Sequence, residues 1–407
     1  MKKIPFILLC LLLAVLAFNA GATERKLYGT ASLMVVVERE SGSVLVIDSI
    51  EHEPLGRVAG LGDLRHASMV FSRDARYAFV ISTDGFLSKV DLLKMELAGR
   101  VKAGDKSIGV AISRDNRYLM VCNYSPGSAV IIDAATLGIV KEIPAIREDG
   151  GKKTVSKTVG PLDTPDNLMI FALMEGGGVW VVDMRKEGFP VIRKFWDVGT
   201  EPYDQLITPD GRYYLVGLKG SEWMGLLDTW KLDGVKRIDV RERKAGLKKY
   251  KKPEEVPVYH IPHFESWSIS GDLAFVPAFG ERRVIVYSTR DWSVVKSIPI
   301  DGTGLFVVGR PGGRDVWVDN VGPSGGRGER LINVIDVETL DVRGTIDAGK
   351  GALDPQFTPR GEAAYVSIRD EDKVAVYDAD TLRLIKEIPA KRPSGIFSSD
   401  RASKFGL

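Results

Sequence analysis

From Leu33 onward, short apolar runs alternate with polar turns, and the alternation itself repeats. The phrase Ser72-Arg-Asp-Ala-Arg-Tyr-Ala-Phe-Val80 returns as Ser113-Arg-Asp-Asn-Arg-Tyr-Leu-Met-Val121 and as Thr208-Pro-Asp-Gly-Arg-Tyr-Tyr-Leu-Val216. Weaker copies stand at Arg310-Pro-Gly-Gly-Arg-Asp-Val-Trp-Val318 and Thr358-Pro-Arg-Gly-Glu-Ala-Ala-Tyr-Val366. Each is a polar turn leading into a β-rich run. A second apolar run follows and closes on Asp or Tyr, as in Val130-Ile-Ile-Asp133 and Val374-Ala-Val-Tyr-Asp378. A third run ends in Pro or Gly, as in Ile139-Val-Lys-Glu-Ile-Pro144. Short β-branched runs bounded by turn residues read as strands. Several strands per repeat, at a period of roughly 40–60 residues, predict a β-propeller, a ring of blades around a channel.

The closing residue of the third strand falls at Asp48, Asp91, Asp133, Asp183, Asp228, Tyr287, Asp336 and Asp378, which gives eight blades. Innermost strands are expected to start near His66, Ser107, Thr158, Pro202, His263, Gly304 and Ala352. An eighth, Pro393-Ser-Gly-Ile-Phe-Ser-Ser-Asp400, has no blade behind it. At the other end, Leu33–Val37 and Ser43–Asp48 look like second and third strands without a first. The two deficits complement each other. The expected fold is all-β: an eight-bladed β-propeller closed by pairing of the C-terminal strand with the N-terminal blade, which hides both sheet edges. A tandem of separate β-domains would leave the matched truncations unexplained.

The first 22 residues read as a targeting segment, leaving 23–407 as a single domain. Lys2 and Lys3 precede an apolar run from Ile4 to Phe18, and Ala20-Gly-Ala22 supplies small residues for cleavage. The run is short for a membrane span, and Cys10 has no small residues before it, which argues against a lipid anchor. A soluble periplasmic protein is expected, with Cys122 as its one cysteine and therefore no internal disulfide. Lys and Arg number 56 against 54 Asp and Glu, and loss of Lys2 and Lys3 balances them. Such a chain has no global field for nucleic acid or an anionic membrane.

Charge is concentrated in one place. Arg241-Glu-Arg-Lys-Ala-Gly-Leu-Lys-Lys-Tyr-Lys-Lys252 stretches the period before an innermost strand, on the face where binding loops are expected. Of four histidines, two hold the same place in the repeat: His66 lies eight residues before Asp74, and His263 eight before Gly271. In an eight-bladed ring they belong to blades 2 and 6 and would face each other across the channel mouth. Two imidazoles over a gap suit a flat ligand whose metal one of them ligates, or proton transfer to it. The alternative is that each imidazole only caps a strand. Arg65, Arg392 and the basic insertion could pair with ligand carboxylates. Asp63, Asp163 and Asp354 are read as carboxylates near the mouth, with Asp163 able to orient a ligand group. His52, in an outer turn, is expected to be solvated. No Cys-x-x-Cys-His, Gly-x-Ser-x-Gly, His-Glu-x-x-His or P-loop occurs.

Gly62-Asp-Leu-Arg-His-Ala-Ser-Met-Val-Phe-Ser-Arg-Asp74 resembles the d1-haem domain of cytochrome cd1 nitrite reductase. Lys391-Arg-Pro-Ser-Gly-Ile-Phe397, Phe357-Thr-Pro-Arg-Gly-Glu362 and Val366-Ser-Ile-Arg-Asp-Glu-Asp372 narrow the match to the NirF-type family of haem d1 biosynthesis. The resemblance spans the whole chain after the leader. It implies binding of haem d1, dihydro-haem d1 or a precursor in the channel mouth, late in that pathway. It also implies a dehydrogenase role and transient complexes with nitrite reductase or other assembly proteins. His66 matches the family's histidine in Asp-Leu-x-His-Ala-Ser, and Asp163 an acidic turn of the family. Where a histidine is expected before Phe-Thr-Pro-Arg-Gly, this chain has Leu353-Asp354-Pro355. A non-catalytic carrier and a scaffold for protein partners remain as alternatives.

Overall fold

The repeated phrase folds the same way wherever it occurs. In blade 2 the Ser72 hydroxyl donates to Asp74 Oδ1 (2.5 Å), which also accepts the Arg76 N–H (3.1 Å), while the Tyr77 N–H donates to Ser72 Oγ (2.9 Å). Ser113, Asp115, Arg117 and Tyr118 repeat the arrangement, as do Thr208, Asp210, Arg212 and Tyr213. These contacts close a tight turn whose fourth residue is left-handed: Ala75 at φ 57°, Asn116 at 64°, Gly211 at 75°. Asn and Gly tolerate that conformation, and the polar side chains satisfy the turn backbone locally. The aspartates that end the third strands act similarly. Asp48, Asp91, Asp133, Asp336 and Asp378 each accept the N–H groups two and three residues on.

The computed structural model describes residues 29–221, 223–239, 258–259, 272–279, 282–321 and 327–406. They form eight four-stranded antiparallel sheets. Blade 1 contains β1 (Leu33–Glu38), β2 (Ser43–Asp48) and β3 (Glu53–Val58), and blade 2 runs from β4 (Ser68–Phe71) to β7 (Glu96–Lys102). The innermost strands of blades 3, 4 and 5 are β8 (Lys106–Ile112), β14 (Thr158–Asp163) and β18 (Pro202–Ile207). Those of blades 7 and 8 are β26 (Val307–Gly309) and β30 (Ala352–Phe357). In blade 6, pairing begins at β22 (Val258–Tyr259), ahead of the expected start; His263 and the basic insertion lie outside the described residues. So does the leader.

Closure follows the expected route. β34 (Pro393–Ser398) pairs with β1, with Met34 opposite Ser398 and Val36 opposite Ile396. The unbroken apolar runs of the second and third strands now have a reason. In β1, Leu33, Val35 and Val37 pack on blade 2, while Met34 and Val36 pack on blade 8. A strand covered on both faces needs no polar alternation.

One element has no counterpart among the expected strands. Between blades 3 and 4, β12 (Ile146–Asp149) and β13 (Lys152–Val155) make a hairpin turned by Gly150 and Gly151, at φ 55° and 81°. Two left-handed residues suit the favoured two-residue turn, and Asp149-Gly-Gly-Lys152 is its signal. Arg147 holds the hairpin to blade 4 through the Gly176 carbonyl (2.9 Å) and to Asp197 (2.8 Å).

Candidate functional site

Among the described residues, the innermost strands of blades 2, 3, 4, 5, 7 and 8 start at one face and end in a turn at the other. The starting face holds the mouth of a cavity of about 350 Å³. Its apolar wall includes Met69, Ile108, Val110, Leu162, Phe306 and Phe397, and its polar groups include His66, Tyr203, Gln205 and Arg401. An apolar cleft with a few convergent polar groups is the usual form of a small-molecule site.

His66 sits on the rim, exposed, its backbone N–H donating to Thr83 Oγ1 at 3.0 Å. Loss of water inside the mouth, then Arg39, then Lys106, lower its pKa below the usual 6.5. At neutral pH the ring is therefore neutral, with a nitrogen lone pair free for a metal or a proton.

Arg39 is a site residue that the sequence reading misses. It lies in the turn between β1 and β2, where Arg369 and Arg392 from the adjoining closing seam also act on it. Burial first, then these two arginines, lower the Arg39 pKa. Among the described residues its buried Nε has no hydrogen-bond partner. A buried donor aimed at nothing is costly, and an anion at the mouth would satisfy it. A signal exists in the repeat: where described, the turn between the second and third strands of a blade lies on the mouth face.

On the opposite arc, Lys106 and Lys157 both stand 5.6 Å from the Tyr124 ring, and Lys219 stands 3.8 Å from the Tyr203 ring. The Tyr124 hydroxyl donates to Tyr203 Oη at 3.2 Å. The mouth thus has cations on two arcs, some paired with carboxylates, as Lys157 is with Glu175 and Arg392 with Asp370, and the tyrosine faces belong to the lysine arc.

The other expected residues scatter. Arg392 is at the mouth at φ 47°, its N–H bonded to Asp372 (2.9 Å) and its guanidinium 3.7 Å from Asp370. Arg65 is exposed and forks onto Asp63, with Nη2 at 2.6 Å from Oδ2, so both belong to a local turn. Asp354 is buried in the channel wall at φ 52°, its Oδ2 accepting the Ile396 N–H of the closing strand (2.7 Å). Its N–H donates to Asp319 (3.1 Å), which burial pushes up to about 7. His52 is half-buried, with Nδ1 2.7 Å from the Tyr365 hydroxyl, rather than solvated.

Asp163 is a correction. It does not lie near the mouth but ends β14, at the far face, fully buried and outside the cavity lining. Its carboxylate meets Arg73 Nη2 at 2.5 Å and accepts the Gly406 N–H at 2.8 Å. The acidic-turn reading fails because the position follows the strand, not the mouth: six residues carry the chain from Thr158 at one face to Asp163 at the other.

Comparison with known proteins shows the family and the fold. Residues 28–402 match the family described as Cytochrome D1 heme domain. Protein NirF of Pseudomonas aeruginosa is 42% identical over 394 residues, covering 96% of this chain and 97% of that protein. Protein NirF of Stutzerimonas stutzeri is 41% identical over 399 residues, covering 98% and 99%. The dihydro-heme d1 dehydrogenase of Pseudomonas aeruginosa is 29% identical over 374 residues, covering 90% of this chain and 71% of that one. In fold, the solved structure of dihydro-heme d1 dehydrogenase NirN in complex with DHE aligns at TM-score 0.78 with 24% identity, covering 95% and 79%. Among the described residues, no helix is long and apolar enough to cross a membrane.

Proposed function

This chain belongs to the NirF group of the Cytochrome D1 heme domain family, and from that premise we propose that it binds a d1-type tetrapyrrole in the channel mouth. The reading places it in the periplasm, late in haem d1 biosynthesis, acting on dihydro-haem d1 or a precursor. One observation supports it above the others: a neutral imidazole, His66, rims an apolar cavity whose mouth is flanked by cations, including the buried and unsatisfied Arg39 Nε.

The residues fit such a ligand. A tetrapyrrole has a flat apolar face for the Phe306 and Phe397 wall, a metal for His66, and peripheral carboxylates for Arg39 and Arg392. His263 stays a candidate to face the ligand from the opposite blade, on the strength of the repeat alone. When bound, iron would supply the redox chemistry; this chain's residues would orient the macrocycle and hold or move protons at His66. Dehydrogenation is the activity favoured here, because a dehydrogenase shares 29% identity over nearly the whole chain.

The test is a titration of the purified protein with haem d1 and with dihydro-haem d1, followed by absorption. Binding with a slow conversion of the dihydro form, given an electron acceptor, supports the enzyme reading. Binding without conversion would make the protein a carrier. A flat titration with both would sink the tetrapyrrole reading and leave a scaffold for protein partners.

A further inference from the structure

The tail that follows β34 does not leave the propeller; it crosses the channel at the end away from the mouth. Ser399 anchors its start, its hydroxyl donating to the Thr30 carbonyl (2.5 Å) and accepting the Leu33 N–H (3.0 Å) of blade 1. Farther along, Arg73 from the phrase turn of blade 2 donates to the carbonyls of Ala402 and Lys404. The same guanidinium reaches the Ile112 carbonyl at the end of β8 (3.0 Å) and the Asp163 carboxylate at the end of β14 (2.5 Å). Arg114, in the turn of blade 3, reaches the Ser403 carbonyl at 3.4 Å. The Gly406 N–H then donates to Asp163, and Gly406 lies so close to Ile207, at the end of β18, that a Cβ there would come within 2.1 Å of Ile207 Cγ2. Phe405 packs beside Gly211 in the turn of blade 5.

The path therefore begins in blade 1 and ends in blade 5. In a ring of eight these are opposite, so the tail spans the channel's full diameter. Two of its residues, Arg401 and Gly406, line the cavity from below. Gly406 sits at φ 76°, which with the close approach to Ile207 admits only glycine there.

We infer that this strap is the floor of the site, turning a through-channel into a pocket with one mouth, and that Asp163 is the positioning residue that holds it in place. The inference rests on the tetrapyrrole reading only for the identity of what is held. Asp163 is suited to the role because its two oxygens act on two parts of the strap's anchorage: Oδ2 fixes Arg73, which grips the strap's carbonyls, and Oδ1 fixes the strap's last described residue directly. A flat apolar ligand in a one-mouthed pocket is shielded from water beneath, and it enters and leaves by the same path. Opening the floor would hydrate its lower face and speed its release.

The experiment uses the full-length protein, Asp163→Asn, and a chain ending at Ser403. Asp163→Asn keeps an oxygen for Gly406 and removes the charge facing Arg73; the shortened chain leaves every blade intact. Release of bound haem d1 is followed by its transfer to excess apomyoglobin, and amide exchange of β8 and β14 is followed without ligand. Both variants should release haem d1 about tenfold faster, with association at the mouth unchanged, because interface changes act mainly on dissociation. Exchange at the ends of β8 and β14 should rise in both. Faster exchange with release and absorption spectrum like the parent's would show that the strap is not the floor. Unchanged exchange in Asp163→Asn would show that Asp163 does not hold it. Should the parent take up no haem d1, the tetrapyrrole reading falls, while the exchange measurement still decides whether Asp163 secures the strap.

Discussion

The two ends of the channel use the same residue types for opposite purposes. At the mouth, Arg39, Arg392 and His66 stand partly in water, loosely held by neighbours of both charge signs. At the floor, Arg73 and Asp163 are buried against each other, with side-chain exposures of 14% and 1%, and each charge has a partner made by the fold. What differs is the counter-ion: Nε goes unpartnered on both Arg39 and Arg73, but at the floor the Arg73 charge is matched by Asp163 at 2.5 Å, whereas Arg39 at the mouth stands among other arginines. Charge left over after folding is available to a ligand, whereas charge consumed by folding secures the structure.

The sharpest way to break this contrast is to remove one partner at the floor. Asp163→Ala leaves the Arg73 guanidinium buried without its counter-ion, which should cost about 3–5 kcal/mol of stability. Chemical denaturation measures it, and a loss below about 1 kcal/mol would show the floor pair to be as expendable as a surface one. The matching change at the mouth should do the reverse. His66→Ala should leave stability within about 0.5 kcal/mol of the parent, while weakening haem d1 binding by about tenfold or more, or about 1.4 kcal/mol. A variant that unfolds early but binds normally would invert the assignment.

A third test concerns a mouth-side carboxyl that behaves like a floor residue. Asp319 is fully buried, accepts the N–H groups of Leu305, Phe306 and Asp354, and titrates near 7 rather than 3.8 because burial disfavours its charge. A folded-state pKa raised above the unfolded one contributes stability that is complete below the unfolded value and lost as pH rises through the folded value. The melting temperature should therefore fall between about pH 4 and pH 7 and level off above that, and Asp319→Asn should flatten that slope. A parent whose melting temperature rises over this interval would contradict it.

The smallest effect expected is electrostatic. The His66 pKa is lowered, so haem binding that needs a neutral ring should hold at neutral pH and decline only as pH drops through the lowered value. Arg39→Gln removes the first charge acting on that ring and should move the decline to higher pH, as ring-proton NMR would register. With Arg392→Gln added, haem d1 capture should become slower and less sensitive to salt. Identical salt dependence in parent and variant would remove these arginines from the site.

Much of the fold is legible in the chain itself, because its chemistry is local. The phrase turns and the closing aspartates are complete within a few residues, so their hydrogen bonds recur wherever the words recur. Asp48 and Asp378 cap the same turn at opposite ends of the chain. The hairpin at 146–155 is legible in principle through Gly150 and Gly151, but it adds too few residues to disturb the period. His66 is legible because a repeat exposes whatever departs from it. Arg39 is harder, since a single arginine in a turn looks like any solvated charge until Arg369 and Arg392 are brought beside it. Asp163 is misplaced by the sequence reading because adjacency to a turn says nothing about which of two faces that turn occupies.

From the sequence alone came eight blades, the closure of the last strand onto the first blade and the candidacy of His66, all from patterns that repeat within about 60 residues. Tertiary structure alone decided what those patterns cannot encode. It joined Arg73 to Lys404 across 331 positions and Asp163 to Gly406 across 243, and so turned one carboxylate from a presumed ligand partner into the anchor of a floor. Such pairs exist only once the ring has closed, because closure is what brings the segment after β34 to the same side of one channel as the turn of blade 2 and the end of β14.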